Sequence, residues 1–319
     1  MNRKISTGAL TEGAILAAIT ALLGVISYYI PFLTLLVFIW PIPIIILGKR
    51  HGLSTSIMAT IAAGVLASLF TPIIYSIPIV IMYGLLGIAL GFAYHKNISF
   101  IKTILIGYIT ALLSIIILLE VYTIITGISI ITELNQMMRL TMDEVNILYQ
   151  SMGIDPNTMN DVVKQMDEVI TSMTQLFPAT LLMIPMVVTL INMIVSEKIL
   201  KRLGYDVIKV PPFRKWRLPN HASFGLFSIL LVAIIGQYFN LSNFDMVYQN
   251  LLYLILIMFL VQGLSFVAHF FYAKNISKGV RIVGFIMILV LPIMQSLIQI
   301  IGLIDVVFNV RDKIKIEQS

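Results

Sequence analysis

Residues 101–126 read IKTILIGYITALLSIIILLEVYTIIT, a run whose only charges are Lys102 at its start and Glu120 in its last third. A hydrocarbon core about 30 Å thick is crossed by about 20 mainly apolar residues in a helix. This stretch is long enough, and a strand that long would leave backbone hydrogen-bonding groups unpaired in lipid. Working outward, similar runs recur at 9–30, 32–47, 53–70, 75–94, 177–197, 222–239, 248–272 and 282–304. The whole chain of 319 residues is 59% hydrophobic and 11% charged, with mean hydropathy +0.99. A soluble domain of this size is normally about a quarter charged, so a water-soluble globular fold is excluded. The expected fold class is all-α, a polytopic transmembrane helix bundle of about nine spans with an extracytoplasmic helical hairpin.

Charge sets the expected orientation. With the N-terminus cytoplasmic, the inner connections collect sixteen basic residues, from Arg3 and Lys4 through Lys49, Arg50, Lys96 and Lys102 to the 198–217 run and Lys274, Lys278 and Arg281. Outside, the tail apart, stand only Arg139 and Lys164. Such asymmetry is the positive-inside pattern, and it places the chain in a cell membrane as a multi-pass protein. No small-residue cleavage site follows a short apolar core, so the first span is read as retained. Nine spans put Arg311, Lys313 and Lys315 outside; a break at Pro292 folding 282–304 into a re-entrant hairpin returns them inside.

The expected organisation is therefore five spans in 1–126, the outer hairpin in 127–176, a sixth span at 177–197, a basic cytoplasmic loop at 198–221, and C-terminal spans with the tail in 222–319. In the hairpin, seven acidic residues face two basic ones. Met138, Met142, Val145, Tyr149 and Met152, then Met159, Val162, Met166, Val169, Met173 and Leu176, recur at helical steps of three and four. Gly153 suits the end of the first helix, and Asp155-Pro156 the start of the second. Thioethers bind Cu(I), but the spacing already explains these methionines as a packing seam. The hairpin suits a lid or a partner-docking surface.

Function classes narrow mainly by exclusion. No cysteine is present, so thiolate nucleophiles and Cys-ligated metals are excluded. The four histidines are far apart, without HExxH spacing, and neither a GxxxxGK[ST] loop nor a nucleophile elbow appears. The chain is read as non-enzymatic and without a cofactor. Ionisable and amide groups inside spans are costly and mark sites or helix glue; Glu120, Gln262, His269 and Gln295 are the candidate ligand or ion residues, for a small solute. Asp305 ends the last run, at an interface. The loop Val210-Pro211-Pro212-Phe213-Arg214-Lys215-Trp216-Arg217-Leu218-Pro219 reads as an anchor on anionic lipid headgroups or as a coupling surface, with Arg214, Trp216 and Arg217 as docking residues. Nucleic acid is not an expected partner, since no nucleic-acid module accompanies these bases. Small-residue faces, among them Ala14 and Ala18, Ala59, Ala63 and Ala67, and Gly84, Gly87 and Gly91, suit close helix packing.

The stretch Thr11 to Tyr94, the segment Phe213 to Pro219 and the closing Gly302-Leu303-Ile304-Asp305 to Arg311 together resemble the YybS-like family of uncharacterised bacterial membrane proteins, across essentially the whole chain. More remotely, the alanine-rich first span, Pro41-Ile42-Pro43 leading to Gly48-Lys49-Arg50-His51-Gly52, and the glycine-spaced fourth span are similar to S components of energy-coupling-factor vitamin transporters. That resemblance implies a six-helix bundle with a ligand pocket toward the outside. It also implies docking of a membrane coupling subunit, with its ATPase, on the Ala14 and Ala18 face. The outer insertion and three further spans go beyond a simple S component.

Overall fold

The computed structural model describes residues 6–30, 32–33, 38–152, 156–239, 241 and 243–313. Among them the regular structure is helical: α1 Thr7–Tyr29, α2 Pro41–His51, α3 Leu53–Ser68, α4 Ile73–Pro78, α5 Leu85–His95, α6 Phe100–Thr126, α7 Ile130–Ser151, α8 Pro156–Gln175, α9 Phe177–Arg202, α10 Asn220–Tyr238, α11 Phe244–Ala273, α12 Lys278–Val290 and α13 Pro292–Phe308. A π-helical turn, Ile79–Gly84, joins α4 to α5 directly after Pro78, whose missing N–H interrupts the regular hydrogen-bond ladder.

Five of these segments are long and apolar enough to cross a membrane: Thr7–Tyr29, Ile73–His95, Phe100–Thr126, Phe177–Arg202 and Phe244–Ala273. The expectation of about nine spans meets its differences elsewhere. The second run, 32–47, yields a helix only from Pro41 to His51, 11 residues or roughly 16 Å, too short to cross alone; Pro31 and 34–37 lie outside the described residues. Leu53–Ser68 and Phe224–Tyr238 are likewise shorter apolar helices. The last run is two helices, α12 and α13, bent by 103° at Leu291. Pro292, at the first position of α13, cannot donate to the end of α12 and pushes Leu291 into extended backbone.

The chain divides into two units, Met1–Thr171 with Thr180–Val210, and Ser172–Ala179 with Pro211–Ser319. In the first unit many large apolar side chains point outward, and small residues share the interior with Ile44, Ile45, Leu47, Leu86 and Leu90. On α6 the buried positions are Thr103, Gly107, Ala111, Ser114 and Ile115, whereas Ile101, Leu105, Ile109 and Leu113 are exposed. Lipid is as apolar as leucine, so burying leucine against protein gains little there, and close backbone approach through small residues decides which faces meet. The core accordingly gathers Ala17 and Ala21 of α1 and Ala59, Ala63 and Ala67 of α3 around Trp40 and Tyr83. The ring centroids of Trp40 and Tyr83 are 4.7 Å apart, edge to face. Helices α2 and α5 cross through Gly48 and Gly91: a Cβ on Gly48 would stand 2.8 Å from Gly91 Cα, and one on Gly91 3.0 Å from Gly48 Cα.

The second unit uses the same device. A Cβ on Gly302 of α13 would meet the Phe259 carbonyl oxygen of α11, and one on Gly263 of α11 would meet that of Ile298. The two backbones therefore touch, and side chains on either flank of the crossing are forced together. In the α7–α8 segment, Met138, Met142, Val145, Tyr149, Val162 and Met166 are half-buried, while Met152, Val169 and Met173 are exposed. Gly153 and Asp155 lie outside the described residues, as does the side chain of Met159.

Candidate functional site

Beside the Gly263–Gly302 crossing, α13 ends at Phe308 and the chain turns back through Asn309, which sits in the left-handed region (φ 49°). A short 3-10 turn, Val310–Lys313, follows and aims Arg311 into the protein. Its guanidinium lies 2.9 Å from Asp305 Oδ2, both side chains 2% exposed. One Arg311 Nη1 donates to the carbonyl oxygens of Arg214 (3.1 Å) and Trp216 (2.9 Å) and to Ser265 Oγ (3.2 Å). Asp305 Oδ1 accepts from the backbone N–H of Arg311 at 3.0 Å, and Oδ2 also accepts from Gln262 Nε2 at 2.7 Å. Burial pulls the guanidinium below its ordinary pKa, and the Asp305 charge opposes that shift.

The basic loop is clasped by this pair. Ser265 Oγ donates toward the carbonyls of Phe213 and Trp216, each at 2.8 Å, and Gln262 Oε1 accepts from the Leu218 N–H at 3.0 Å. Arg214 stacks on the Tyr272 ring, 3.8 Å from its centroid. Trp216 packs edge-on against Phe213 and donates its indole N–H to the Pro211 carbonyl at 2.8 Å. Pro211 and Pro212 confine the loop to a single 3-10 turn, Phe213–Lys215, and the Arg214 and Trp216 carbonyls beyond its ladder accept from Arg311 and Ser265.

On the outer flank Arg217 forks onto Asp312: Nη1 donates to Oδ2 at 3.0 Å and Nη2 to Oδ1. This bidentate bond holds the Asp312 carboxyl below its usual pKa and raises that of Arg217. Between the loop and α13 opens a cleft of about 320 Å³ lined by Arg217, Leu218, Pro219, Gln262, Asp305, Val306 and Asn309. Leu218, Pro219 and Val306 supply apolar wall, and Arg217, Gln262, Asp305 and Asn309 supply polar groups.

Five residues singled out from sequence thus converge in this unit. Gln262, Arg214, Trp216 and Arg217 join directly, and His269 stands one helical turn beyond Ser265, half-buried, with its Nε2 unpartnered. Gln295 does not join them: its Nε2 donates to the Leu289 carbonyl at 2.7 Å across the α12–α13 break, completing the end of α12. Glu120 belongs to the first unit and is exposed on α6. Ala14 and Ala18 are exposed on α1, while Ala17 and Ala21 of the same helix are buried. Arg311, Ser265, Asn309 and Asp312 were not singled out as site residues. The expected outside position of Arg311 and Lys313, relative to a basic inner loop, is corrected: Arg311 bonds the backbone of that loop, so the two lie at one end of this unit.

A second polar cluster closes the first unit. Glu12 pairs with Arg50 and, at 2.6 Å, with His51 Nε2. Arg50 Nε donates to Tyr205 Oη at 2.8 Å, and Lys49 Nζ to the Tyr94 carbonyl and Asn97 Oδ1 at 2.8 and 2.9 Å. Gly52, at φ 85°, is the turn that lets α3 start one residue after α2. Among the described residues no group of three or more His, Cys, Asp or Glu side chains is placed to hold a metal ion.

Comparison with known proteins agrees with this picture of a helical membrane protein. No solved structure matches the chain. It is 26% identical over 319 residues to a Bacillus subtilis (strain 168) protein described as "Uncharacterized protein YybS", an alignment covering 97% of this chain and 99% of that protein. The family model described as "Predicted membrane protein (DUF2232)" matches residues 18–306, nine-tenths of the chain, and the chain therefore belongs to that family of membrane proteins.

Proposed function

We propose that the chain is a non-enzymatic solute-binding or transport component of a bacterial cell membrane, with its small-molecule site in the cleft between the 217–219 loop and α13. The observation that carries this reading is the cleft itself: a volume of about 320 Å³, lined by Leu218, Pro219 and Val306 together with the polar side chains of Arg217, Gln262, Asp305 and Asn309. The buried Asp305–Arg311 pair beneath fixes that geometry, because moving either partner strands a charge in a dry interior. The positive-inside distribution puts the N-terminus and the basic loop in the cytoplasm, so the cleft opens on the inner side. Uptake or release driven by ATP then requires a separate ATPase subunit, and the exposed Ala14 and Ala18 face is the surface for its membrane partner.

The test is thermal stability of the folded, detergent-purified protein against vitamins, nucleobases, amino acids, metal ions and lipids. A ligand of the native state at a hundredfold excess over its Kd adds about 2.7 kcal/mol. The expected result is a saturable shift from one class of solute, weakened by Asn309→Gly, which removes the amide and keeps the left-handed turn. Absence of any shift in a folded sample overturns the reading.

A second reading, an accessory protein acting through protein contacts, draws on the exposed apolar residues Leu134, Met137, Leu140, Ile147 and Leu148 of α7. It predicts that charged substitutions there abolish partner recovery, with solute shifts absent.

A further inference from the structure

We infer that the solute of this cleft is a small anion whose carboxylate or phosphate oxygens take the place of Asp312 on Arg217. This deepens the solute-binding reading and rests on it.

The cleft's polar groups are not equally available. Both oxygens of Asp305 are engaged, by the backbone N–H and guanidinium of Arg311 and by Gln262 Nε2. Gln262 has its own oxygen on the Leu218 N–H. What remains to greet a ligand is the Arg217 fork and the Asn309 amide, whose side chain has no hydrogen-bond partner among the described residues. A planar guanidinium with two parallel donors matches a carboxylate or a phosphate, and beside it an amide N–H supplies one more donor.

The partner Arg217 now holds shows that the fork fits such a group. Asp312 binds it through both oxygens, yet Asp312 is not part of the cleft wall. It reaches in from the last described turn, with a side chain 61% exposed against 41% for Arg217. An exposed pair of this kind is weak and easily exchanged. Asp305 and Arg311, by contrast, are 2% exposed each and are not available for exchange.

Local charge points the same way. Of the charged side chains, Arg217 and Asp305 line the cleft, and Asp305 is already paired with Arg311. Arg214 is stacked on Tyr272. With Asp305 neutralised by Arg311, release of Asp312 leaves the Arg217 charge uncompensated. An anion meets that charge with its carboxylate or phosphate oxygens, which a neutral or cationic solute does not. Asp312 then acts as an internal competitor that fills the fork until solute arrives.

Succinate and inorganic phosphate are the probes, read by thermal shift and calorimetry on the full chain in phosphatidylcholine nanodiscs. The account expects saturable binding to the wild type and an affinity about two- to five-fold tighter in Asp312→Asn, the scale of a weak surface pair. Binding is lost in Arg217→Gln, while Arg217→Lys, which keeps charge without the fork, binds carboxylate more weakly than wild type. Circular dichroism and an unchanged Tm without probe establish that each variant is folded. Phosphatidylglycerol in the nanodisc distinguishes the source: a soluble-anion site binds the probes unchanged, whereas occupation of Arg217 by lipid phosphate weakens their binding to the wild type in proportion to the phosphatidylglycerol content. Binding that is indifferent to both Asp312→Asn and Arg217→Gln overturns the inference. A neutral solute bound in the cleft independently of Arg217 overturns it too, but leaves the solute-binding reading standing; no shift from any solute removes both.

Discussion

Asp305 closes the last helix and Arg311 follows it by six residues, yet the two meet at 2.9 Å in a site where both side chains are 2% exposed. The left-handed Asn309 makes this possible, by reversing the chain between them. The pair organises everything nearby, holding the basic loop through its carbonyls and Gln262 through its amide.

Removing one member leaves the other charged and buried. Asp305→Ala is expected to destabilise the protein by about 3–5 kcal/mol, and Asp305→Leu combined with Arg311→Met to recover much of that loss. Thermal unfolding in detergent checks both; equal loss in single and double variants contradicts the charge argument.

The α11–α13 crossing depends on absent side chains. Gly263→Ala and Gly302→Ala each drive a methyl into a partner carbonyl, whereas Gly225 and Gly279 face open space. Tm is expected to fall in the first two variants, by the equivalent of more than about 1 kcal/mol, and to move little in Gly225→Ala and Gly279→Ala. Similar Tm values across all four contradict the close crossing.

Because Arg311 bonds the 214–216 backbone, Lys215 and Lys313 belong to one membrane face. Single cysteines are unambiguous reporters in a chain that has none. Lys215→Cys and Lys313→Cys are expected to react with an impermeant maleimide from the same side of sealed vesicles. Labelling from opposite sides contradicts the returned tail.

The Arg217–Asp312 fork carries a pH signature. Asp312 has a carboxyl pKa depressed in the folded protein, so its contribution is complete above the ordinary carboxylate value of about 3.9 and is lost as pH falls through the lowered folded value. Thermal stability is expected to fall on acidification over that range, and Asp312→Asn to remove that part of the fall. Identical profiles in both backgrounds contradict a tie through Asp312.

The long runs were legible in sequence because lipid leaves few alternatives: α1, α6, α9 and α11 begin and end within a few residues of the hydropathy boundaries. The break at Leu291 was legible only as a choice at Pro292, since a proline marks where a helix stops without fixing whether the chain turns by 103° or continues. The α2 helix was misplaced because its apolar run starts before the helix does. In the site, Gln262, Arg214, Trp216 and Arg217 were visible as costly or distinctive groups, but Arg311 sat among other tail cations. Its importance comes from Asn309 and from a glycine crossing between helices about 40 residues apart, a tertiary fact. Gln295 looked like Gln262 in sequence and differs because its amide closes its own helix break.

The most direct test of the cleft is site-resolved. With the solute found in the binding screen at saturation, Leu218→Cys, on the cleft wall, is expected to lose most of its maleimide reactivity, while Glu120→Cys, exposed on α6, reacts at an unchanged rate. Protection of Glu120→Cys with Leu218→Cys unaffected would contradict the account and move the binding site to the first unit.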